Sequence, residues 1–232
     1  METTSAKWIV ISLGGSLIYP KEQDVEYVQR FVDLIKSKLD TGEFKFAVIT
    51  GGGCLARKMQ EELKSAHTDV TLKELDNVGI AATRANAVYV RNVFGDVAEP
   101  DIFLDPTKLA LSGKAVLVGG GWKPGHSSDG SAVGLAQTLG AKCVINLSNI
   151  DYVYTADPRT NPDAVKIEKS NWTDFRKLLP EEWHPGSNVP FDPVAAEMAE
   201  ELGLEVVVMN GKNLENLENY IDGKEFIGTV IL

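Results

Sequence analysis

Lys123, His126, Ser127, Ser128 and Asp129 fall within seven consecutive positions of a glycine-rich stretch, GGGWKPGHSSDGSA, at 119–132. A lysine and a histidine supply positive charge, and hydroxyls and free amides supply hydrogen bonds. Glycine removes the Cβ that would keep a backbone from approaching a phosphate. Two more clusters, Gly14–Gly15 and Gly51–Gly53, follow the apolar runs Trp8–Leu13 and Phe44–Thr50. Each stands where a strand would turn into a helix, whose N-terminus carries a partial positive charge. One such cluster would mean no more than a tight turn. Three at strand ends suit a phosphate-rich ligand.

Several of these residues also have a purely structural reading. Ser127, Ser128 and Asp129 can simply cap a helix, and Asp192, in PFDPV at 190–194, can be a cap with Pro193 at the first helical position or a group near the phosphates. Arg57 can be a surface charge on a helix. Arg84 stands in an otherwise apolar helical segment, where a guanidinium needs a partner, either a phosphate or a carboxylate such as Asp76. Neither a Gly-x-x-x-x-Gly-Lys-Ser/Thr loop nor a strand leading into Gly-x-Gly-x-x-Gly occurs, so phosphates must be shared among several loops. A Ser-His-Asp type constellation is not needed, because phosphoryl transfer asks for positioned reactants and neutralised charge.

The elements that must hold these groups alternate. Strands are predicted at Trp8–Leu13, Phe44–Thr50, Lys114–Val118, Lys142–Leu147, Glu205–Met209 and Phe226–Leu232. Helices are predicted at Val25–Leu39, Leu55–His67, Leu75–Phe94, Val133–Leu139, Trp172–Leu179, Asp192–Leu202 and Leu214–Tyr220. In Leu75–Phe94 the side with Val78, Ala82, Ala85, Val88 and Tyr89 suits either a core or an assembly face. Asn149–Pro162, rich in Asp, Asn, Pro and Tyr, reads as a functional loop with a small hairpin. The alternation implies an α/β fold with parallel βαβ units, a sheet covered on both faces, and a ligand at the carboxyl ends of the strands.

The totals bound the rest. A chain of 232 residues with 44% hydrophobic and 24% charged residues is expected to form one sizeable core. A formal net charge of -10 argues against a nucleic-acid or anionic membrane partner. Cys54 and Cys143 lack metal-ligand spacing and read as buried thiols in a reducing, cytoplasmic setting. No apolar run approaches the ~20 residues of a membrane span, and METTSAK at 1–7 lacks the plan of a signal peptide.

Taken together, LGGS at 13–16, TGGG at 50–53 with Arg57, DNVGI at 76–80 with ATRAN at 82–86, Gly121–Asp129, and LSNID at 147–151 with VYTADPR at 153–159 resemble the amino acid kinase superfamily. Within it they are most similar to the archaeal-type UMP kinase branch. The resemblance implies a three-layer αβα sandwich around a mainly parallel sheet, one domain over 1–232, with an acceptor-binding part at about 1–140 and an ATP-binding part at about 141–232. It implies transfer from MgATP to UMP, with Gly15, Ser16, Gly53, Arg57, Ser148, Asn149, Tyr154 and Asp157 at ATP positions. Gly52, Asp76, Trp122, Lys123, Pro124, Gly125, His126, Ser127 and Ser128 fall at UMP positions, Asp76 toward the ribose hydroxyls. The catalytic positions it marks are Arg57, Asp129 and Asp192; Mg²⁺ comes with ATP rather than to a dedicated protein metal site. A hexamer built from dimers is also implied.

Two positions depart from the pattern. Ser12 stands where many superfamily members carry a lysine, and Trp122 where a small threonine is common. A hydroxyl cannot replace a charge, so another cation such as Arg57 or Lys123, or Mg²⁺, must carry more, or activity is weak. An indole at 122 stacks on the acceptor base, narrows the pocket, or packs outward. Ser12 and Trp122 keep two alternatives open: a kinase of the same fold acting on another small acceptor, a carboxylate or phosphomonoester, and a non-catalytic nucleotide-binding or storage protein.

Overall fold

The computed structural model of the protein describes residues 6–180 and 189–232. In chain order it forms β1 (Lys7–Leu13), α1 (Gly15–Ile18), α2 (Val25–Leu39), β2 (Phe44–Thr50), α3 (Gly53–Ala66), α4 (Leu72–Phe94), β3 (Val116–Gly119), α5 (Ser128–Leu139) and β4 (Cys143–Ser148). There follow β5 (Val153–Tyr154), β6 (Lys166–Ile167), β7 (Lys169–Ser170), α6 (Trp172–Arg176), α7 (Pro193–Glu201), β8 (Glu205–Asn210), α8 (Leu214–Ile221) and β9 (Thr229–Ile231).

Seven strands form one sheet in the order β3-β2-β1-β4-β8-β9-β7. From β3 to β8 every pairing is parallel. Only β9 runs against its neighbour β8, and β7 pairs with β9 in parallel. The apolar runs are continuous because the sheet is covered on both faces. Ile11, Leu13, Phe46 and Val48 point to one face, where they pack with Phe31 of α2, Phe94 of α4 and Leu217 of α8. Val10, Ala47 and Ile49 point to the other, against Val133 of α5, Phe175 of α6 and Ala196 of α7. This is the expected αβα arrangement, and each fully buried large side chain contributes about 1.5–3 kcal/mol.

Boundaries shift where local chemistry overrides periodicity. The fourth helix starts at Leu72, because Thr71 and Glu74 form a reciprocal capping box. Its buried stripe is Leu75, Asp76, Ile80, Ala82, Asn86, Ala87, Val90 and Phe94, whereas Ala85 and Val88 face solvent, so the expected side is displaced. α5 begins at Ser128, five residues ahead of the predicted start, and α6 ends at Arg176. The expected final strand shrinks to β9. The hairpin forms, but its second strand, β6, lies beyond Pro162. Both cysteines are free and only partly buried.

Candidate functional site

Because β1, β2, β3, β4 and β8 run the same way, the loops that leave Leu13, Thr50, Gly119, Ser148 and Asn210 all emerge at one edge of the sheet. Backbone bonds tie neighbouring loops: Gly14 N–H to Leu147 O, Gly51 N–H to Leu13 O, and Gly211 N–H to Ser148 O, each at 2.9 Å. The first two glycine loops touch through their backbones. A Cβ on Gly15 would fall on the Gly51–Gly53 backbone, and one on Gly53, at φ +61, would strike the Gly15 carbonyl oxygen. Only glycine allows that approach and that conformation.

The third glycine loop lies on α4. Thr83 Oγ1 accepts from Gly121 N–H at 2.7 Å, Arg84 donates from Nε to Gly121 O at 3.2 Å and from Nη2 to Trp122 O at 2.6 Å, and Asp76 Oδ2 accepts from Gly125 N–H at 2.6 Å. Among the described residues Arg84 is thus held by two backbone carbonyls and not by the expected Asp76 carboxylate. Asn86 donates to Gly51 O at 2.8 Å and Thr50 Oγ1 to Thr83 O at 2.8 Å, so one helix carries two of the loops. Asp76 is 8% exposed. Burial raises its pKa, and the Gly125 N–H and the nearby His126 oppose the rise. Trp122 packs edge-on against His126, with ring centres 4.7 Å apart, and Lys123 Nζ lies 4.0 Å from the centre of the indole. Nδ1 of His126 is buried with no hydrogen-bond partner among the described residues. Lys123 and Gly125 are exposed, while Pro124 is half-buried.

At the start of α5, Ser127 is the N-cap and accepts from Gly130 N–H at 3.0 Å. Asp129, in the first turn, accepts on Oδ1 from Ser12 Oγ and Asn146 Nδ2, both at 3.1 Å, and on Oδ2 from Asp192 N–H at 3.2 Å. Ser12 and Asn146 are register partners on β1 and β4. Asp192, 3% exposed, caps α7 by accepting from Ala195 N–H at 2.8 Å. The capping reading of Asp192 thus holds, and its amide in addition fixes Asp129. Burial, and secondarily the Asp192 carboxylate, push the Asp129 carboxyl up to about 7, against the Ser12 and Asp192 hydrogen bonds. Two helix N-termini, α5 and α7, therefore meet here, beside the uncharged Ser12.

On the β4–β8 side, Ser148 and Tyr154 are half-buried and Asn149 is exposed. Ser148 Oγ accepts from Ile150 N–H at 3.3 Å, and Asn210 donates to Asp151 at 2.9 Å. Asp157 is exposed and held by Arg159 at 2.8 Å, which keeps its carboxyl near about 2. Ser16 and Gly52 are half-buried at the rim, and Gly52 is the N-cap of α3. Arg57 points from α3 into solvent with no ion-pair partner among the described residues. Sequence reasoning missed Asn146, Asn86, Thr83 and Thr50. For Asn146 a signal existed: one amide inside an apolar strand, beside a serine in the same situation on β1.

Comparison with known proteins gives the family. Residues 7–210 match the family model described as the amino acid kinase family. The chain is 32% identical to the uridylate kinase of Pyrococcus abyssi over 220 residues, which is 93% of this chain and 96% of that protein. It is also 32% identical to the uridylate kinase of Methanospirillum hungatei over 227 residues, 96% of this chain and 94% of that protein. Among solved structures, the uridylate kinase of Archaeoglobus fulgidus superposes with a TM-score of 0.82 at 30% identity, covering 97% of this chain and 99% of the other.

Proposed function

Because the chain belongs to the amino acid kinase family, we propose that it transfers the γ-phosphoryl group of ATP to UMP, giving ADP and UDP. A phosphate oxygen of UMP attacks the γ-phosphorus in line, and the bond to the β,γ-bridging oxygen breaks. The observation that carries this reading is the single sheet edge at which three glycine loops and the starts of α3, α5 and α7 converge. Backbone amides and helix N-termini there offer the fixed dipoles that two adjacent polyanions need. The relatives' names favour UMP over a carboxylate acceptor.

Within this reading UMP lies on the β1–β3 side, over Gly52, Asp76 and the Trp122–Ser128 loop. Asp76 has one carboxylate oxygen on Gly125 N–H, which leaves the other for a ribose hydroxyl. ATP lies on the β4–β8 side, over Gly15, Ser16, Gly53, Ser148, Asn149 and Tyr154, with Asp157 toward the ribose. Among the described residues no group of three or more His, Cys, Asp or Glu side chains could hold a metal. Mg²⁺ would therefore arrive with ATP and be held by the nucleotide phosphates and water rather than by a dedicated protein site, and there it would neutralise charge. Arg57, with no ion-pair partner among the described residues, would supply a further cation.

The enzyme acts as a hexamer in the cytoplasm. The hexamer and the cytoplasmic setting rest on the family resemblance; no helix of the described residues is long and apolar enough to cross a membrane. The test is an ADP-release assay with MgATP and UMP, CMP, AMP or carbamate, with chromatography of the products. Preferential UDP formation is expected. Binding of ATP and UMP without detectable UDP would overturn the proposal.

A further inference from the structure

We propose that Arg84 is a positioning residue for the acceptor: from α4 it fixes the backbone of the Gly119–His126 loop by gripping two successive carbonyls. Nε reaches Gly121 O at 3.2 Å and Nη2 reaches Trp122 O at 2.6 Å. The same helix face holds the amides of that loop, Gly121 through Thr83 at 2.7 Å and Gly125 through Asp76 at 2.6 Å. Residues 76, 83 and 84 are two turns apart on one side of a helix, so donors and acceptors for the loop are set out on a rigid ruler. The loop can lie so close because a Cβ on Gly120 would meet Arg84 N at 2.8 Å and Thr83 C at 2.9 Å.

Carbonyl partners leave the guanidinium charge unneutralised. No carboxylate pairs with Arg84 among the described residues, and a guanidinium has three further N–H bonds beyond the two used here. Its planar fork is what bridges two carbonyls; a lysine ammonium is a single point on a flexible stem and cannot keep both. Arg84 therefore fixes where Trp122, His126, Ser127 and Ser128 stand and adds fixed positive charge behind them. This inference uses the UMP kinase reading only for the identity of the acceptor.

The experiment compares the full chain with Arg84→Lys and Arg84→Gln in two ways. Hydrogen exchange without nucleotide reads the loop itself. The Gly121–His126 amides are expected to exchange ~10-fold faster or more in both variants, while β1 and β2 amides keep wild-type rates, as follows from losing one or two charged hydrogen bonds locally. Kinetics read the consequence: KM for UMP rises ~10- to 100-fold with KM for ATP within ~3-fold, and lysine does not rescue. Wild-type exchange in Arg84→Lys, or a KM for ATP that rises in step with that for UMP, overturns the proposal. If wild-type protein forms no UDP, the acceptor assignment falls while the exchange data still decide the role of Arg84. Should Arg84→Gln be recovered unfolded, Thr83→Val, which removes the acceptor of Gly121 N–H, tests the same docking: unchanged loop exchange there also counts against it.

Discussion

Ser12 is where residue chemistry departs furthest from the family pattern. It is 4% exposed and donates to Asp129, so a hydroxyl, not an ammonium, faces that carboxyl. With its folded pKa raised to about 7 from 3.8, Asp129 binds its proton more tightly in the folded state. That stability is fully present below pH 3.8 and is lost as pH rises through about 7. The unfolding free energy from urea titration is therefore expected to fall between pH 5 and pH 8, by on the order of 3 kcal/mol at most, and Asp129→Asn should flatten that slope. The raised Asp76 contributes a smaller part of the same sign. Ser12→Ala removes a bond that lowers the Asp129 pKa, so the titration should move upward; NMR of the carboxyl carbon would read it. Ser12→Lys, forcing a long ammonium between β1 and α5, should cut turnover ~10-fold or more. A rise in turnover would mean that the native site lacks the charge.

Among the elements, strands were legible and helix functions were not. Apolar runs such as Val10–Leu13 and Ala47–Ile49 announce buried parallel strands, and the parallel order then puts every glycine cluster on one edge. On the polar face of α4 the sequence marks Arg84 as a charge that needs a partner but not which one, because Thr83, Arg84 and Asn86 are satisfied by backbone carbonyls and amides of loops whose proximity is purely tertiary. α5 was read too short for a related reason: Gly130 and Ser131 are poor helix formers, but both are buried, and Ser131 Oγ is satisfied by Ser127 O. Packing overrides propensity there. Away from the site, α2 is bolted to α8 by Lys38, 8% exposed, at 2.8 Å from Glu218 and 2.7 Å from Asp222. These groups sit near the C-terminal ends of their helices, at the sheet edge opposite the glycine loops. Lys38→Ala should lower unfolding free energy by about 1–3 kcal/mol, since one carboxylate is then left half-buried, while turnover with UMP and ATP stays at the wild-type value. A large loss of turnover at a temperature where the variant is folded would show coupling across the sheet.

For the whole molecule, the question is whether the proposed acceptor part, 1–140, and the proposed ATP part, 141–232, are separate bodies. The sheet divides at β1 and β4: β3, β2 and β1 come from residues before 140, and β4, β8, β9 and β7 from residues after it. That seam is a full parallel pairing, from Val10 with Val144 to Leu13 with Leu147. α5 belongs to the first part, yet it covers both. Its Val133 and Leu135 share one apolar cluster with Val10 and Ile49 on one side and Val144, Phe191 and Val206 on the other. Asp129 repeats the arrangement in polar form, held by Ser12 from the first part and by Asn146 and Asp192 from the second. Cutting at 140 would expose two strand edges and an apolar layer, and a parallel edge is poorly tolerated in water. Fragments 1–140 and 141–232 are each expected to lack a cooperative unfolding transition when made alone, and co-expression should recover helix content and UDP formation together. A sharp, independent transition in either fragment would mean that the two parts fold separately; a single transition in the intact chain, lost on cutting, means that one shared core holds the β1–β4 seam closed.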